Sequence, residues 1–242
     1  MEKVFIGIPI LNRVDLLERC IAAIDYPADI FIVNNNTVDA QFDLQLEDLA
    51  RRWRLTVLPQ SRNLGISASF NLLLRTAFDR GHDSLFIGAN DVFLNPGSLS
   101  AAIEFPKSDD VAIYCLHALN FFFTNRSAVE AVGWWDENFY PAYEEDIDYV
   151  YRCRLAGKRL VDVPSAGGEH VGSATIHSNP DYLAQNYVTH CQLNRDYYLR
   201  KWGGHGGEER FQSPFDYPSY DYRWWPEPDS SIADRDWDRA SR

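Results

Sequence analysis

The sequence predicts an α/β protein built on a doubly wound, mostly parallel sheet flanked by helices, and three observations lead there. Short, nearly continuous apolar runs alternate with stretches of helical periodicity. Each of the first four runs leads into a polar cluster, which is where open α/β sheets place ligand contacts. The runs are apolar on both faces, as strands buried between two helical layers must be. With 242 residues, 45% of them hydrophobic, the chain has enough apolar surface for a sizeable core and is expected to fold alone.

The first run, Lys3 to Ile10, carries Val4, Phe5, Ile6, Ile8 and Ile10 and stops at the loop Pro9 to Arg13. Leu16, Leu17, Cys20, Ile21 and Ile24 then recur at helical spacing, with Asp15 as the expected N-cap and Pro27 as the stop. Ile30 to Val33 reads as a second strand running into Asn34-Asn35-Asn36-Thr37. A helix over Leu44 to Trp53 leads to a third strand, Leu55 to Leu58, and then to Arg62-Asn63-Leu64-Gly65. Ile66 to Phe78 is helical, with Asn71 an odd polar member among Phe70, Leu73, Leu74 and Ala77, and Gly81 ends it. Ser84 to Ile87 is a fourth strand, terminating in Gly88-Ala89-Asn90-Asp91.

Beyond Pro96 the pattern changes. A helix is expected over Ser98 to Glu104, strands over Val111 to Leu116 and Ala118 to Thr124, and a helix over Arg126 to Val132 that stops at Gly133. Leu160 to Val163 reads as a strand, Gly167-Gly168-Glu169-His170 as a flexible loop, and Pro180 to Trp202 as one long helix. The last forty residues hold Gly203 to Gly207, repeated Pro-aromatic steps and Trp224-Trp225, and read as an irregular wrapping tail or lid.

Between these elements lies the densest acid of the chain: Glu144, Glu145, Asp146 and Asp148, just after Pro141. Ile147, Val150, Tyr151 and Leu155 give the following segment an apolar helical stripe, while Glu145, Asp148 and Arg152 share another face. One account is structural: acids suit the positive end of a helix dipole, and Asp148 pairs with Arg152 at i,i+4, each effect worth about 1 kcal/mol or less. The other is chemical: one carboxylate at the mouth of a cleft is a general base and its neighbours bind hydroxyls.

The formal net charge of −12 gives no electrostatic footprint for a polyanion. Cys20, Cys115, Cys153 and Cys191 are far apart and sit in apolar or periodic segments, as reduced core thiols do. No apolar run approaches the roughly 18 residues of a membrane span and no secretory leader is present, so a soluble, cytoplasmic protein is expected.

In their order along residues 3 to 175 these clusters resemble the family 2 glycosyltransferases, inverting enzymes of the GT-A fold that use nucleotide-diphosphate sugars. Pro9, Asn12 and Arg13 are similar to the family's first loop. Asn34 and Asn35 stand where an Asp-Asn-Gly-Ser run contacts base and ribose, with Asn34 replacing the Asp. Arg62, Asn63 and Gly65, with Asn71 further on, are similar to the Asn-x-Gly segment. The resemblance makes all of these donor contacts, together with Asn90, and implies a UDP-sugar as the foremost donor. Asn90-Asp91 occupies the place of the DxD metal motif, so Asp91 is the implied ligand, and His170-Val171-Gly172-Ser173 looks like the late segment whose His completes the metal shell. The implied cofactor is Mn²⁺ or Mg²⁺, with the imidazole leaning toward Mn²⁺. Gly133-Trp134-Trp135-Asp136-Glu137 followed by Glu145-Asp146 is similar to the acceptor segment. It implies Asp146 as catalytic base, Glu145 in support, and Trp134, Trp135 and Asp136 at the acceptor.

The expected organisation is one GT-A domain over residues 1–202, with a donor half of about 1–95 and an acceptor half of about 96–202, then the tail 203–242. A saccharide, a protein side chain or a hydroxymethylated base in DNA each fits the acceptor. Two other functions fit an α/β sheet with carboxylates. A nucleotidyltransferase would carry a Gly-rich basic phosphate loop after the first strand, where Gly7 to Arg13 offers one Gly and one Arg. A non-catalytic nucleotide-sugar-binding module is favoured only by Asn90 standing in place of an acid.

Overall fold

The structure, a computed structural model, describes residues 4–36, 39–178, 180–181, 183–184 and 189–218. Thr37, Tyr182, Tyr187, Trp224 and Trp225, each singled out in the sequence, lie outside the described residues, as does the side chain of Cys191.

A seven-stranded sheet forms the centre, in the order β3-β2-β1-β4-β7-β6-β8. Its strands are β1 (Val4–Ile10), β2 (Ala28–Asn34), β3 (Thr56–Pro59), β4 (Ser84–Gly88), β6 (Val111–His117), β7 (Phe121–Asn125) and β8 (Arg159–Asp162). β1, β2, β3 and β4 are mutually parallel, β7 runs against both β4 and β6, and β6 pairs with β8 in parallel. β7 is therefore the one reversed strand of a mostly parallel sheet.

Alternation along β1 shows why both sides need cover. Ile6, Ile8 and Ile10 join one core with Leu16 and Leu17 of α1 (Val14–Ala22) and Leu46 and Leu49 of α2 (Ala40–Trp53). Phe5 points to the other core, with Leu73 and Leu74 of α3 (Gly65–Asp79) and Val129 of α5 (Arg126–Val132). Leu99 of α4 (Ser98–Glu104) adds to the first core, and Tyr149 and Cys153 of α6 (Glu145–Leu155) to the second. A third cluster, with Phe139, Tyr151, Tyr197, Tyr198 and Trp202, seats α8 (Arg195–Trp202) beside α6. Cys20, Cys115 and Cys153 are buried and free.

Four expectations are corrected. Asp15 does not cap α1: Arg13, left-handed at φ 64, holds the N-cap position, and Asp15 instead binds the Arg13 guanidinium at 2.7 and 2.8 Å. Gly167 to His170 is not a loop. Gly168–His170 forms strand β9, antiparallel to a strand the sequence did not reveal, β5 (Val92–Leu94), with Val92 opposite His170. The segment expected as one helix over Pro180 to Trp202 is helical at its described residues, but Thr189–Asn194 is a π-helical turn that α8 follows. In α6, Tyr151 of the expected apolar stripe is buried but Ile147 is exposed, and Glu145, Asp148 and Arg152 are buried beside Tyr149 and Cys153, so charged residues share the inward surface.

The β5–β9 ribbon has no room for a side chain at Gly168, where a Cβ would stand 2.6 Å from the Phe93 carbonyl oxygen. Because that obstacle is backbone, Gly168→Ala should cost about 1–3 kcal/mol. The check is the urea midpoint, expected to fall with its slope unchanged; an unaltered midpoint would show that the ribbon yields freely.

Candidate active site

The strand order reverses direction at β1: the chain winds outward to β3, then crosses to β4 on the other side. Such a switch point leaves a crevice beyond the carboxyl ends of the two central strands. A cavity of about 310 Å³ lies there, bordered by Pro9 to Leu11 after β1 and by Ala89 to Asp91 after β4. Asn35, Asn63 and Gly65 also line it, as do Trp135, Pro141 to Tyr143, Glu145 and Asp146. The segment Ser173 to Ile176, including the single-turn helix α7 (Ala174–His177), lies along its edge.

The acidic wall is held by backbone contacts. Gly65 sits at φ 73 with its would-be Cβ 2.7 Å from the Pro141 carbonyl oxygen, and Ile66 N–H donates to that oxygen at 2.7 Å. Tyr143 and Glu144 are both left-handed, at φ 75 and 71, immediately before α6 begins. Two such residues in a row persist only where the surroundings determine them. Asn194 supplies that determination, its Nδ2 donating to the Ala142 and Tyr143 carbonyls at 2.9 and 3.2 Å. The Tyr143 hydroxyl meets the Ser173 hydroxyl at 3.1 Å and so links this wall to the segment before α7.

Opposite the acids, β9 brings the His170 ring to β4's end. His170 Nε2 lies 3.2 Å from Asp91 Oδ1, and Val171 N–H donates to the Asp91 carbonyl. The pair borders the same cavity as Glu145 and Asp146.

The sequence model described as glycosyl transferase family 2 matches residues 5–161 of this chain. The chain belongs to glycosyl transferase family 2. A Leishmania donovani protein named galactofuranosyl glycosyltransferase is 53% identical over 36 residues, 15% of this chain and 8% of that protein. Among solved structures, S. aureus TarS is similar at 13% identity and a TM-score of 0.54, over 82% of this chain and 42% of TarS. Its 1–349 form matches at 15% and 0.50, over 69% of this chain and 59% of that one. GalNAc-T7, solved with UDP, GalNAc and Mn²⁺, matches at 11% and 0.59, over 82% of this chain and 50% of that one. The chain thus spans well under two thirds of each of these proteins. At such identities the likeness shows the GT-A fold.

Set against the family 2 pattern, the structure gathers Pro9, Asn35, Asn63, Gly65, Asn90, Asp91, Trp135, Glu145, Asp146 and His170 around one cavity. Other expected contacts are engaged elsewhere. The Asn12 amide donates to Thr175 O and Ser178 Oγ, which ties the first loop to α7. Arg13 is paired with Asp15 while also feeling the charge of Asp91, and Arg62 is exposed and does not line the cavity. Asn34 spends both ends of its amide locally, donating to Asp43 and accepting from Asn36 N–H, rather than offering a base-reading edge. Asn71 is fully buried and grips the loop after α5, exchanging bonds with Trp135 N–H and C=O and donating to Glu137, all at 2.9 Å. Trp134 packs on Phe78 beneath the Arg75 guanidinium, outside the cavity. Asp136, 1% exposed, is bound by Lys201, Tyr197 and Asn138 and has no surface to offer an acceptor. The sequence missed Tyr143, Asn120 and Ala174 to Ile176 as cavity residues, and Asn194 as the clamp, because none stands in a recognisable motif; Ser173, the last residue of the late His segment, also lines the cavity.

Glu145 and Asp146 are adjacent yet differ sharply. Glu145 is buried, its Oε2 has no hydrogen-bond partner among the described residues, and burial followed by the charge of Asp146 pushes its carboxyl up to about 8. Asp146 is exposed, with Oδ1 accepting from Ile147 N–H at 2.8 Å at the start of α6. Because the folded-state value of Glu145 exceeds its ordinary 4.5, the folded chain keeps a proton that the unfolded chain releases. Stability is therefore full below about pH 4.5 and declines as pH rises toward 8. Glu145→Gln removes this cost, so the variant should gain stability over the parent on the order of a few kcal/mol at pH 8 and almost none at pH 4.5. Chemical denaturation at the two pH values checks this, and an equal gain at both would exclude a buried proton.

Proposed function

We propose that this chain transfers a sugar from a nucleotide-diphosphate sugar to an acceptor hydroxyl with inversion, using Asp146 as general base and a divalent cation held by Asp91 and His170. The observation that carries the reading is the pairing of Asp91 with His170 across one cavity from Glu145 and Asp146. The GalNAc-T7 structure holds UDP and Mn²⁺, which favours a UDP-sugar and Mn²⁺ here as well.

The two residues suit such a cation. Their 3.2 Å separation is close to that of adjacent ligand atoms on one octahedral ion, about 3 Å for bonds of about 2.1 Å. Among the described residues no group of three or more His, Cys, Asp or Glu side chains can hold a metal. A hard cation of this kind is ordinarily held by one or two protein groups with phosphate and water completing its shell. Once bound, it would offset the negative charge gathering on the leaving diphosphate.

Asp146 takes the acceptor proton as the new bond from oxygen to the anomeric carbon forms and the carbon–oxygen bond to the diphosphate breaks. It is exposed, in the first turn of α6, where an acceptor hydroxyl can reach it. Glu145, holding its own proton at neutral pH, is not a base there; it offers a hydrogen bond to a hydroxyl or to Asp146. Trp135, 1% exposed and stacked on Tyr149 at 4.2 Å between ring centroids, backs the cavity wall.

Asp146→Asn should preserve the fold and nucleotide binding and lower transfer by about 10²–10⁴-fold, the usual contribution of a positioned base. Transfer by this variant at the parent rate, measured with radiolabelled donor, would remove Asp146 from the mechanism. The metal role is checked separately: EDTA should abolish transfer, added Mn²⁺ should restore it, and Asp91→Ala should not respond to Mn²⁺. Full activity in EDTA would refute it.

A further inference from the structure

The family 2 match ends at residue 161, yet the acidic wall is held from beyond it. Asn194, fully buried at the entry to α8, donates to two consecutive carbonyls of the loop that turns into α6. One helical turn on, the Tyr197 hydroxyl donates to Asp136 Oδ2 at 2.8 Å. Lys201, its side chain 0% exposed, binds Asp136 Oδ2 at 2.7 Å and also Asp148 Oδ1, and Trp202 Nε1 donates to that same Asp148 oxygen at 2.8 Å. Arg195 adds a long ion pair to Glu144 at 3.8 Å. All of these partners fall between residues 136 and 148, the stretch that contains Glu145 and Asp146.

We infer that α8 is the positioning element of the acceptor wall, acting through Asn194 on the left-handed turn and through Lys201 on Asp148, so that loosening it uncouples transfer from donor binding. This rests on the reading of Asp146 as base. The physical ground is the turn itself. Tyr143 and Glu144 adopt a backbone that side-chain-bearing residues resist, and the amide of Asn194 rewards it by satisfying the carbonyls on either side of the Ala142–Tyr143 step. Without that amide the turn relaxes toward ordinary backbone, and Glu145 and Asp146, the first two residues of α6, turn with it. Asn35 follows β2 of the parallel sheet and Asp91 lies between β4 and the β5–β9 ribbon, and none of these ladders involves α8.

The experiment uses the full chain with Asn194→Ala, a milder Asn194→Ser, and Leu46→Ala in α2 as a control destabilised far from the cavity. Hydrogen exchange should speed up at least tenfold across residues 140–148 in both Asn194 variants, and stay within twofold of the parent across residues 4–13 and 84–91. The dissociation constant for UDP with Mn²⁺ should change less than twofold while kcat/KM for the acceptor falls at least tenfold. Leu46→Ala should leave exchange at 140–148 unchanged. Unaltered exchange at 140–148, or an equal rise in both regions, overturns the inference. So does a loss of UDP affinity matching the loss of transfer. The exchange measurement needs no turnover, so it decides the role of α8 even if the parent chain transfers no sugar, a result that would instead refute the proposed function.

Discussion

Two aspartates, an arginine and a lysine meet in the interior, and the placement of the acidic wall depends on how they are paired. Asp148 receives Arg152 Nε at 2.8 Å on one oxygen, and Lys201 and Trp202 on the other; Lys201 continues to Asp136. Burial alone would raise the Asp148 carboxyl, but Lys201 and Arg152 outweigh it and hold it below the ordinary carboxylate value. Arg152 also donates to the carbonyls of Val132 and Trp134, which reaches the end of α5. A balanced cluster of this kind is weak evidence for net stability, since a well-packed apolar set of the same volume does as well. Removing one partner is different, because an uncompensated buried charge costs about 3–5 kcal/mol. What the cluster provides is register: the loop after α5, α6 and α8 can be joined in only one arrangement that leaves no charge unpaired.

From that arrangement the cavity follows. With Asp148 fixed, the first turn of α6 has one orientation, and Glu145 and Asp146 point toward the ends of β1 and β4. The opposite wall is set by different means, the β5–β9 ribbon, whose register puts Val92 against His170 and the imidazole against Asp91. A sheet ladder thus positions the Asp91–His170 pair, and a buried ion cluster positions the acids. The segment around α7 touches both, through Asn12 on one side and Tyr143 on the other.

These two means of support explain what the sequence revealed. The central strands β1 and β4 were readable because a strand buried on both faces must be apolar at nearly every position, as Phe5, Ile6, Ile8 and Ile10 are. The polar residues after those strands were readable for the same reason, as interruptions. β5 and β9 were not, since three residues are too few to show a period and Gly167-Gly168 suggests a loop. α6 was read only in part, because periodicity counts apolar residues: Tyr151 is buried as expected, but Asp148 and Arg152 are buried as well while Ile147 is exposed. Lys201 was unreadable: a lysine in a helix is solvated by default, and only the two carboxylates brought to it from 53 and 65 residues away reverse that.

The acids illustrate how one helix start gives neighbouring carboxylates unlike characters. Glu144 is partly covered and faces Arg195, Glu145 is enclosed, and Asp146 stands in the open with its carboxylate on the Ile147 amide. Had all three been solvated, each would ionise alike and nothing would single out a base. Enclosing Glu145 keeps one proton in the wall beside the exposed Asp146. The difference arises from the left-handed turn at Tyr143 and Glu144, which rolls the helix so that its first residue faces inward and its second outward.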